Sequence, residues 1–488
     1  MCITLDKNCW AVSFFTVEIK LLGSNSMMIK CCLLLMFSLF TPSLWAFDCS
    51  SPQLDVSVIE CESVTDFYLD LGGASSKIPG EIKSQFADPN DTTVCDANVK
   101  TDDEDLIGVF CSQGTSITTI DFDRMYLSGF ISEDIGNLSE LTVLKLSTNQ
   151  LTMVIPKEIG KLSNLVSLTL AQNQLSGELP PELGNLEALH YLYLQNNYFS
   201  GSLPPALGAL NNLIILLIND NLITGQLPEE LSGLSSLREL NLDENDISGS
   251  IEVLTEIKSL RQIRMQNNQL NSVLPNTLNQ MTNLSLLYLN NNSIHGPIPI
   301  EMTNMLSLNY VRLRNNNLTG PIPPEMSMLG QTLLSLDLGG NRLSGSVPQE
   351  LSQLNILSYL ILDKNVLSGP IPAELANMSR LFRLDLSDNL LTGEIPSTFN
   401  DFERLTSLFL SENFLSGPVP DLTGTLPLTG TQFIRIHGNC LLGFPDTTQQ
   451  MIDWLSQRTH SGVTGTGIMN QREPHLCENI IFQNDFDN

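Results

Sequence analysis

Leu165-Val-Ser-Leu-Thr-Leu-Ala-Gln-Asn173-Gln-Leu-Ser-Gly-Glu-Leu-Pro180 is one copy of a phrase that recurs about every 24 residues. Its Asn returns at Asn149, Asn173, Asn197, Asn221, Asn245, Asn268, Asn292, Asn316, Asn341, Asn365, Asn389, Asn413 and Asn439. Steps of 23, 25 and 26 occur once each, and Met125 fills the slot in a degenerate first copy, giving about fourteen copies. In Leu-x-Leu-x-x-Asn the two leucines alternate, so both point to one side of a short strand and the residues between them to the other. Stacked copies then form a parallel sheet on the concave side of a solenoid, which lengthens without adding domains. The Asn is polar and inward, so it must be satisfied by hydrogen bonds. Its amide can reach backbone groups of adjoining turns, which makes it structural and not catalytic.

The second half of the phrase narrows the class. Leu175-Ser-Gly-Glu-Leu-Pro180 returns as Leu318-Thr-Gly-Pro-Ile-Pro323, Leu367-Ser-Gly-Pro-Ile-Pro372 and Leu391-Thr-Gly-Glu-Ile-Pro396. The array, roughly residues 94–442, resembles the plant-type leucine-rich repeats found in ectodomains of receptor-like kinases, in receptor-like proteins and in secreted polygalacturonase inhibitors. The resemblance implies an α/β solenoid: a twisted leucine-rich repeat superhelix with the parallel sheet on its concave face, a second short strand after the Gly, and disulfide caps at both ends. Gly permits the turn and Pro fixes the exit of the chain. Met153 and Ser272 replace the Gly in two copies, and Ile247-Ser-Gly-Ser-Ile-Glu252 lacks the Pro and precedes the short step. Irregular twist is expected near residues 247–275.

The flanks differ from the array. Cys31 to Phe40 is an uncharged run after Lys30, followed by Pro42 and by Leu44-Trp-Ala46. That is the pattern of a secretory leader over residues 1–46, too short for a membrane span. Residues 1–26, before Met27 and Met28, read either as an upstream extension or as the product of a misassigned start. An acidic cap follows at 47–115, the array at 116–440, and a cap with tail at 441–488. Beyond the leader, six of the ten cysteines remain: Cys49, Cys61, Cys95 and Cys111 before the array, Cys440 and Cys477 at its end. Their placement fits disulfides closing both ends in an oxidising compartment. The expected pairs are Cys95 with Cys111, Cys440 with Cys477 and Cys49 with Cys61; free buried thiols are the alternative. Gly108-Val-Phe-Cys111 resembles the family's amino-terminal cap, although the Cys95–Cys111 interval is long and the family's tryptophan is missing there.

Charge excludes other classes. The chain has 24 Lys and Arg against 53 Asp and Glu, a net −29. Residues 47–115 hold 14 acids and 3 Lys, 3 − 14 = −11. Nucleic-acid binders need a basic surface, as do proteins adsorbed to anionic lipid. No metalloprotease, serine-hydrolase, phosphate-loop or dinucleotide motif occurs. Paired carboxylates such as Asp243 with Glu244 and Asp385 with Asp388 read as water-facing. Neither an enzyme nor a cofactor or metal site is expected, and the acidic run Asp102-Asp-Glu-Asp105 reads as a solvated loop.

What remains is the outward strand surface. Most slots there are small or polar, as at Ser167 and Thr169. Arg264, Leu286, Tyr288, Tyr310, Arg312 and Arg314 break that pattern on three adjacent strands. Tyr191, Tyr193, Ile215 and Leu217 form a second patch. Exposed aromatics and arginines are what binding hot spots use, and a cationic spot suits an acidic peptide tail, a carboxylate or an anionic glycan. Six Asn-x-Ser/Thr sequons, at Asn90, Asn137, Asn283, Asn291, Asn317 and Asn377, are candidate glycan sites.

The expected function is a secreted recognition protein without a transmembrane anchor of its own. It would bind a peptide, protein or cell-wall glycan on the concave face in signalling or defence, with a receptor kinase or a microbial enzyme among the candidate partners. The alternatives are an extracellular inhibitor of microbial wall-degrading enzymes such as polygalacturonase, and an adhesive, matrix or ice-binding solenoid.

Overall fold

The computed structural model describes residues 61, 63–64, 67, 70–71, 98–100, 106–112, 116–420, 422 and 433–441. The leader, Cys49, Cys95, Cys477, Asn90, the run 102–105 and the tail beyond 441 lie outside the described residues. Sixteen strands form one continuous sheet. Fourteen of them, from Ser116–Asp121 to Phe433–Arg435, run parallel and supply one strand per repeat. The cap adds Asn98–Lys100 and Leu106–Ser112 antiparallel at the amino-terminal edge, which the repeat pattern does not foretell. After Ser116–Asp121, which has six residues, the array strands are three residues long and in register, as in Ser167↔Tyr191↔Ile215.

The inward leucines make one unbroken core. Leu168, Leu170, Leu192, Leu194, Leu216 and Ile218 are all fully buried. On the far side the repeats from Ser116–Asp121 to Arg383–Asp385 each make a short 3-10 turn, such as Pro181–Asn185, entered from Pro180 at φ −66° and ψ 133°. These turns pack backbone to backbone: a Cβ on Gly208 would sit 2.0 Å from the carbonyl oxygen of Glu230 in the next repeat.

The buried Asn side chains join the repeats. Asn173 Nδ2 donates to the carbonyls of Leu146 at 2.8 Å and Leu170 at 3.1 Å, and its Oδ1 accepts the Leu151 N–H at 3.0 Å. The Leu146 carbonyl also accepts from Asn149, and that of Leu170 from Asn197. Each such carbonyl from Leu146 to Leu410 is thus shared by two amides, and the ladder is continuous. The chain enters each Asn from a left-handed residue, as at Gln172 (φ 55°) and Glu244 (φ 51°), a slot the sequence reading did not single out.

Second strands run through the Gly and not after it, as in Leu222–Gln226 and Asp246–Gly249. They form two five-stranded sheets, which part between Gln269–Leu270 and His295–Gly296. A single Val273↔His295 bridge crosses the gap. At the break Ser272 fills the glycine slot without the left-handed backbone its glycine counterparts use. One repeat earlier, without Pro, the chain enters its 3-10 turn from Ile251 at φ −91° and ψ 9°, while the second strand there stays paired on both sides. The irregularity expected near 247–275 is therefore an interruption of the second sheet.

Met153 also stands where glycine normally does, and it keeps the left-handed backbone at φ 67° with 60% of its surface exposed. An L side chain there costs about 1–2 kcal/mol, partly offset by glycine's greater unfolded-state freedom. Met153→Gly should therefore raise stability by about 0.5–1 kcal/mol, seen as a higher melting temperature; a lower one would show that the Met side chain contributes packing.

Candidate functional site

The outward slots of the concave strands form rows across the array. One row reads Arg264, Tyr288, Arg312, Asp337, Ile361, Asp385, Phe409 and Arg435, each directly beside the next. The neighbouring row places Leu286 beside Tyr310. The six residues picked from sequence therefore do share one surface. The Arg312 guanidinium lies 4.4 Å from the centre of the Tyr288 ring, and Tyr310 is 38% exposed.

The cluster is not the cationic spot expected. Arg264 Nη1 pairs with Glu239 Oε1 at 2.7 Å. Arg314 is bidentate to Asp363, at 2.6 and 2.7 Å, and lies 3.5 Å from Asp337. This bridge spans two repeats and passes over Gly339, where a Cβ would meet Arg314 Nη1 at 2.3 Å and Asp363 Oδ1 at 2.4 Å. Neighbouring repeats thus neutralise two of the three arginines. Arg312 alone has no ion-pair partner among the described residues and is exposed. Glu239, Asp337, Gly339 and Asp363 escaped the sequence reading, although reading each slot down successive repeats brings them into line.

In the second patch Tyr191 stands beside Ile215 and Tyr193 beside Leu217, all half-buried. The two Tyr rings are parallel within 8° with centres 6.4 Å apart. Burial, with Tyr191 and Glu239 nearby, pushes the Tyr193 hydroxyl above the usual tyrosine pKa.

Residues 187–247 match the leucine-rich repeat family, and so do single repeats at 140–162, 164–186, 307–329, 332–354 and 380–402. The PEPR1–AtPEP1 complex is 32% identical with a TM-score of 0.71, covering 80% of this chain and 53% of that one. A plant peptide hormone receptor, RGFR1 in complex with RGF2, is 33% identical at TM-score 0.56, over 66% of this chain and 60% of that one. The chain belongs to the plant-type leucine-rich repeat family. It spans about half to two thirds of those two receptor chains. A leucine-rich repeat protein of Leptospira interrogans is 29% identical at TM-score 0.56, over 68% of this chain and 87% of that one. No curated protein matches the sequence.

Not all carboxylates of this leucine-rich repeat face lie in water as expected. Asp243 is 6% exposed and Asp385 5%. These side chains fold back onto the strands: Asp243 Oδ1 accepts the Gln266 N–H at 2.8 Å and its Oδ2 meets Gln266 Nε2. Asp385 takes Arg383 Nη2 at 2.8 Å and Ser387 Oγ at 2.6 Å. Burial pushes Asp243 up to about 7 and Asp123 to about 6. For Asp243 the unfolded chain ionises near 3.8, so between about pH 4 and 7 the folded chain keeps a proton that the unfolded chain has lost. Stability from this group therefore falls as pH rises through that window, and the cost is complete above about 7. Asn at 243 carries no such cost, and its Nδ2 can serve Gln266 Oε1, which is buried without a partner. Asp243→Asn should melt higher than the parent at pH 8, with the difference closing by pH 4; a difference independent of pH would contradict the burial argument.

Among the described residues no group of three His, Cys, Asp or Glu could hold a metal ion, and no helix is long and apolar enough to cross a membrane. Cys61, Cys111 and Cys440 are each disulfide-bonded; the expected pairings involve residues outside the described ones. Asn137, Asn283, Asn291 and Asn377 are exposed and Asn317 is half-buried. Asn291 belongs to a side-chain ladder on the rim, donating to Asn267 Oδ1 at 2.6 Å and accepting from Asn315 Nδ2 at 2.7 Å.

Proposed function

We propose that this is an extracellular recognition protein whose concave face binds a peptide, through the patch of Leu286, Tyr288, Tyr310 and Arg312. The observation that carries this reading is the Tyr288–Arg312 pair. A guanidinium held on a ring, exposed and without a carboxylate, is pre-oriented for an anion and has given up none of its donors. Leu286 and Tyr310 lie alongside and offer an apolar surface that a peptide side chain can cover. The similarity to a peptide hormone receptor supports a peptide as the ligand class. A secreted location is supported by the leader pattern and by the disulfide-bonded cysteines. Binding, not catalysis, is the role that a surface of this kind serves. Arg264 and Arg314 act as supports that set the charge around the pair, and the Tyr191–Leu217 patch is a second foothold on the same face.

The experiment is a selection from a synthetic peptide library with free carboxyl termini, using the full chain as bait. Enriched peptides should share an acidic group and should bind Arg312→Ala poorly. Enrichment that is identical on the parent and on Arg312→Ala would reject this site.

A further inference from the structure

The Tyr288–Arg312 arrangement occurs twice. Along the same row Arg435 lies 5.3 Å from the centre of the Phe409 ring, again with the aromatic one strand before the arginine. Arg383 approaches that ring too, at 4.8 Å, while its Nη2 is occupied by Asp385. The row's other cations are neutralised: Lys145 by Asp121 at 2.7 Å and Arg264 by Glu239. So are its acids, Asp337 by Arg314 and Asp385 by Arg383. Among the described residues, Arg312 and Arg435 are the two cations of this row that have neither an ion pair nor a hydrogen bond through the side chain. Both are exposed, on a chain of net −29 whose acids elsewhere in the row are engaged.

Their separation is fixed by the fold. Five strand steps lie between them, through Asp337, Ile361, Asp385 and Phe409. At about 4.8 Å per step that is about 24 Å. An extended peptide advances about 3.3 Å per residue, so about seven residues bridge the gap. Between the two cations the carboxylates Asp337 and Asp385 are taken up by Arg314 and Arg383, and an apolar spot lies between them. Ile361 lies two steps from Arg312; Tyr359 is on the same strand and Phe382 packs against Tyr359, the two being 42% and 45% exposed with ring centres 6.0 Å apart.

We infer that the ligand is an extended peptide carrying two carboxylates about seven residues apart, one on Arg312 and one on Arg435, with an apolar side chain between them over Ile361, Tyr359 and Phe382. The inference rests on the peptide reading proposed above and adds a second anchor and a spacing. Two weak anchors on one rigid face reinforce each other only when the linker matches the span. The spacing is therefore what selects the ligand.

The test uses fluorescent, C-terminally amidated Gly/Ser peptides with a central Leu and two Asp separated by three, seven or eleven residues. Binding to the full chain is read by anisotropy at low salt. The seven-residue peptide should bind at least about tenfold more tightly than the other two, and Arg312→Ala or Arg435→Ala should each erase that preference. Phe409→Leu, which frees Arg435 without removing its charge, should weaken it in part. Affinity independent of spacing, or no binding by any peptide, overturns the inference. Loss with Arg312→Ala but not with Arg435→Ala overturns the two-anchor ligand and leaves the peptide site standing. Loss with neither variant overturns both. Matching thermal melts for parent and variants show that any loss arises at the surface.

Discussion

Asn221→Ala should lower stability by about 3 kcal/mol. Asn221 is 7% exposed. Its Oδ1 accepts the Phe199 N–H at 3.0 Å, and its Nδ2 donates to the carbonyls of Leu194 at 3.1 Å and Ile218 at 3.0 Å. Those carbonyls keep a second donor in Asn197 and Asn245. The substitution therefore strands chiefly the Phe199 N–H, at about 1–3 kcal/mol, and weakens two further bonds at about 1 kcal/mol each. A solenoid is stabilised by nearest-neighbour contacts, so the damage should be local. Hydrogen exchange should accelerate in the repeats around residues 194–245 before it does elsewhere. Asn212→Ala is the control: its side chain is exposed and makes one bond, to the Glu187 carbonyl at 2.9 Å. A loss below about 1 kcal/mol is expected there. Equal effects at Asn221 and Asn212 would remove the ladder from the account of stability.

Arg312→Ala should cut affinity for a selected acidic peptide about a hundredfold, near 2.7 kcal/mol, the range for a charged hydrogen-bonded anchor lost from one side of a contact. Tyr288→Ala should lose a little less, because the arginine remains but is no longer held in place. The double variant should bind scarcely worse than Arg312→Ala alone, since the ring acts largely through the guanidinium; non-additivity of this kind is what contacting residues show. Fully additive losses would mean that Tyr288 contacts the ligand independently of Arg312. Binding should also weaken with salt, because an exposed charge contact is screened.

The repeat phrase decided most of the fold because strand, turn and Asn each carry their own physical requirement at a fixed spacing. Leu168 and Leu170 had to face inward together, and Asn173 had to find backbone partners. The left-handed slot before each Asn was hidden, because residues as different as Gln172, Glu244 and Lys364 (φ 56°) fill it; the ladder imposes that conformation, and the residue does not announce it. The antiparallel cap strands were hidden for a different reason. They follow no period, and only pairing defines them: Leu106–Ser112 with Ser116–Asp121, and Asn98–Lys100 with Leu106–Ser112.

At the site, which residues face outward was legible and their electrostatics were not. Arg314 and Asp363 are 49 residues apart in sequence yet form a bidentate pair. Asp243 reads as a water-facing acid, yet its side chain turns back to the Gln266 backbone and is buried. Such contacts depend on which slots face each other one or two repeats away, and, for Arg314 and Asp363, on Gly339 leaving room between them.

The central claim is that the ligand lies on the concave face at Tyr288 and Arg312. It is tested most directly by photo-crosslinking a library-selected peptide to the chain carrying a photoreactive residue at one of two positions. Leu286 lies on the concave strand beside Tyr310; Ile300, 50% exposed, begins the 3-10 turn on the opposite side of the same repeat. A crosslink is expected from position 286, abolished by an excess of unlabelled peptide, and none from position 300. A crosslink from 300, or equal labelling at both, would contradict the claim.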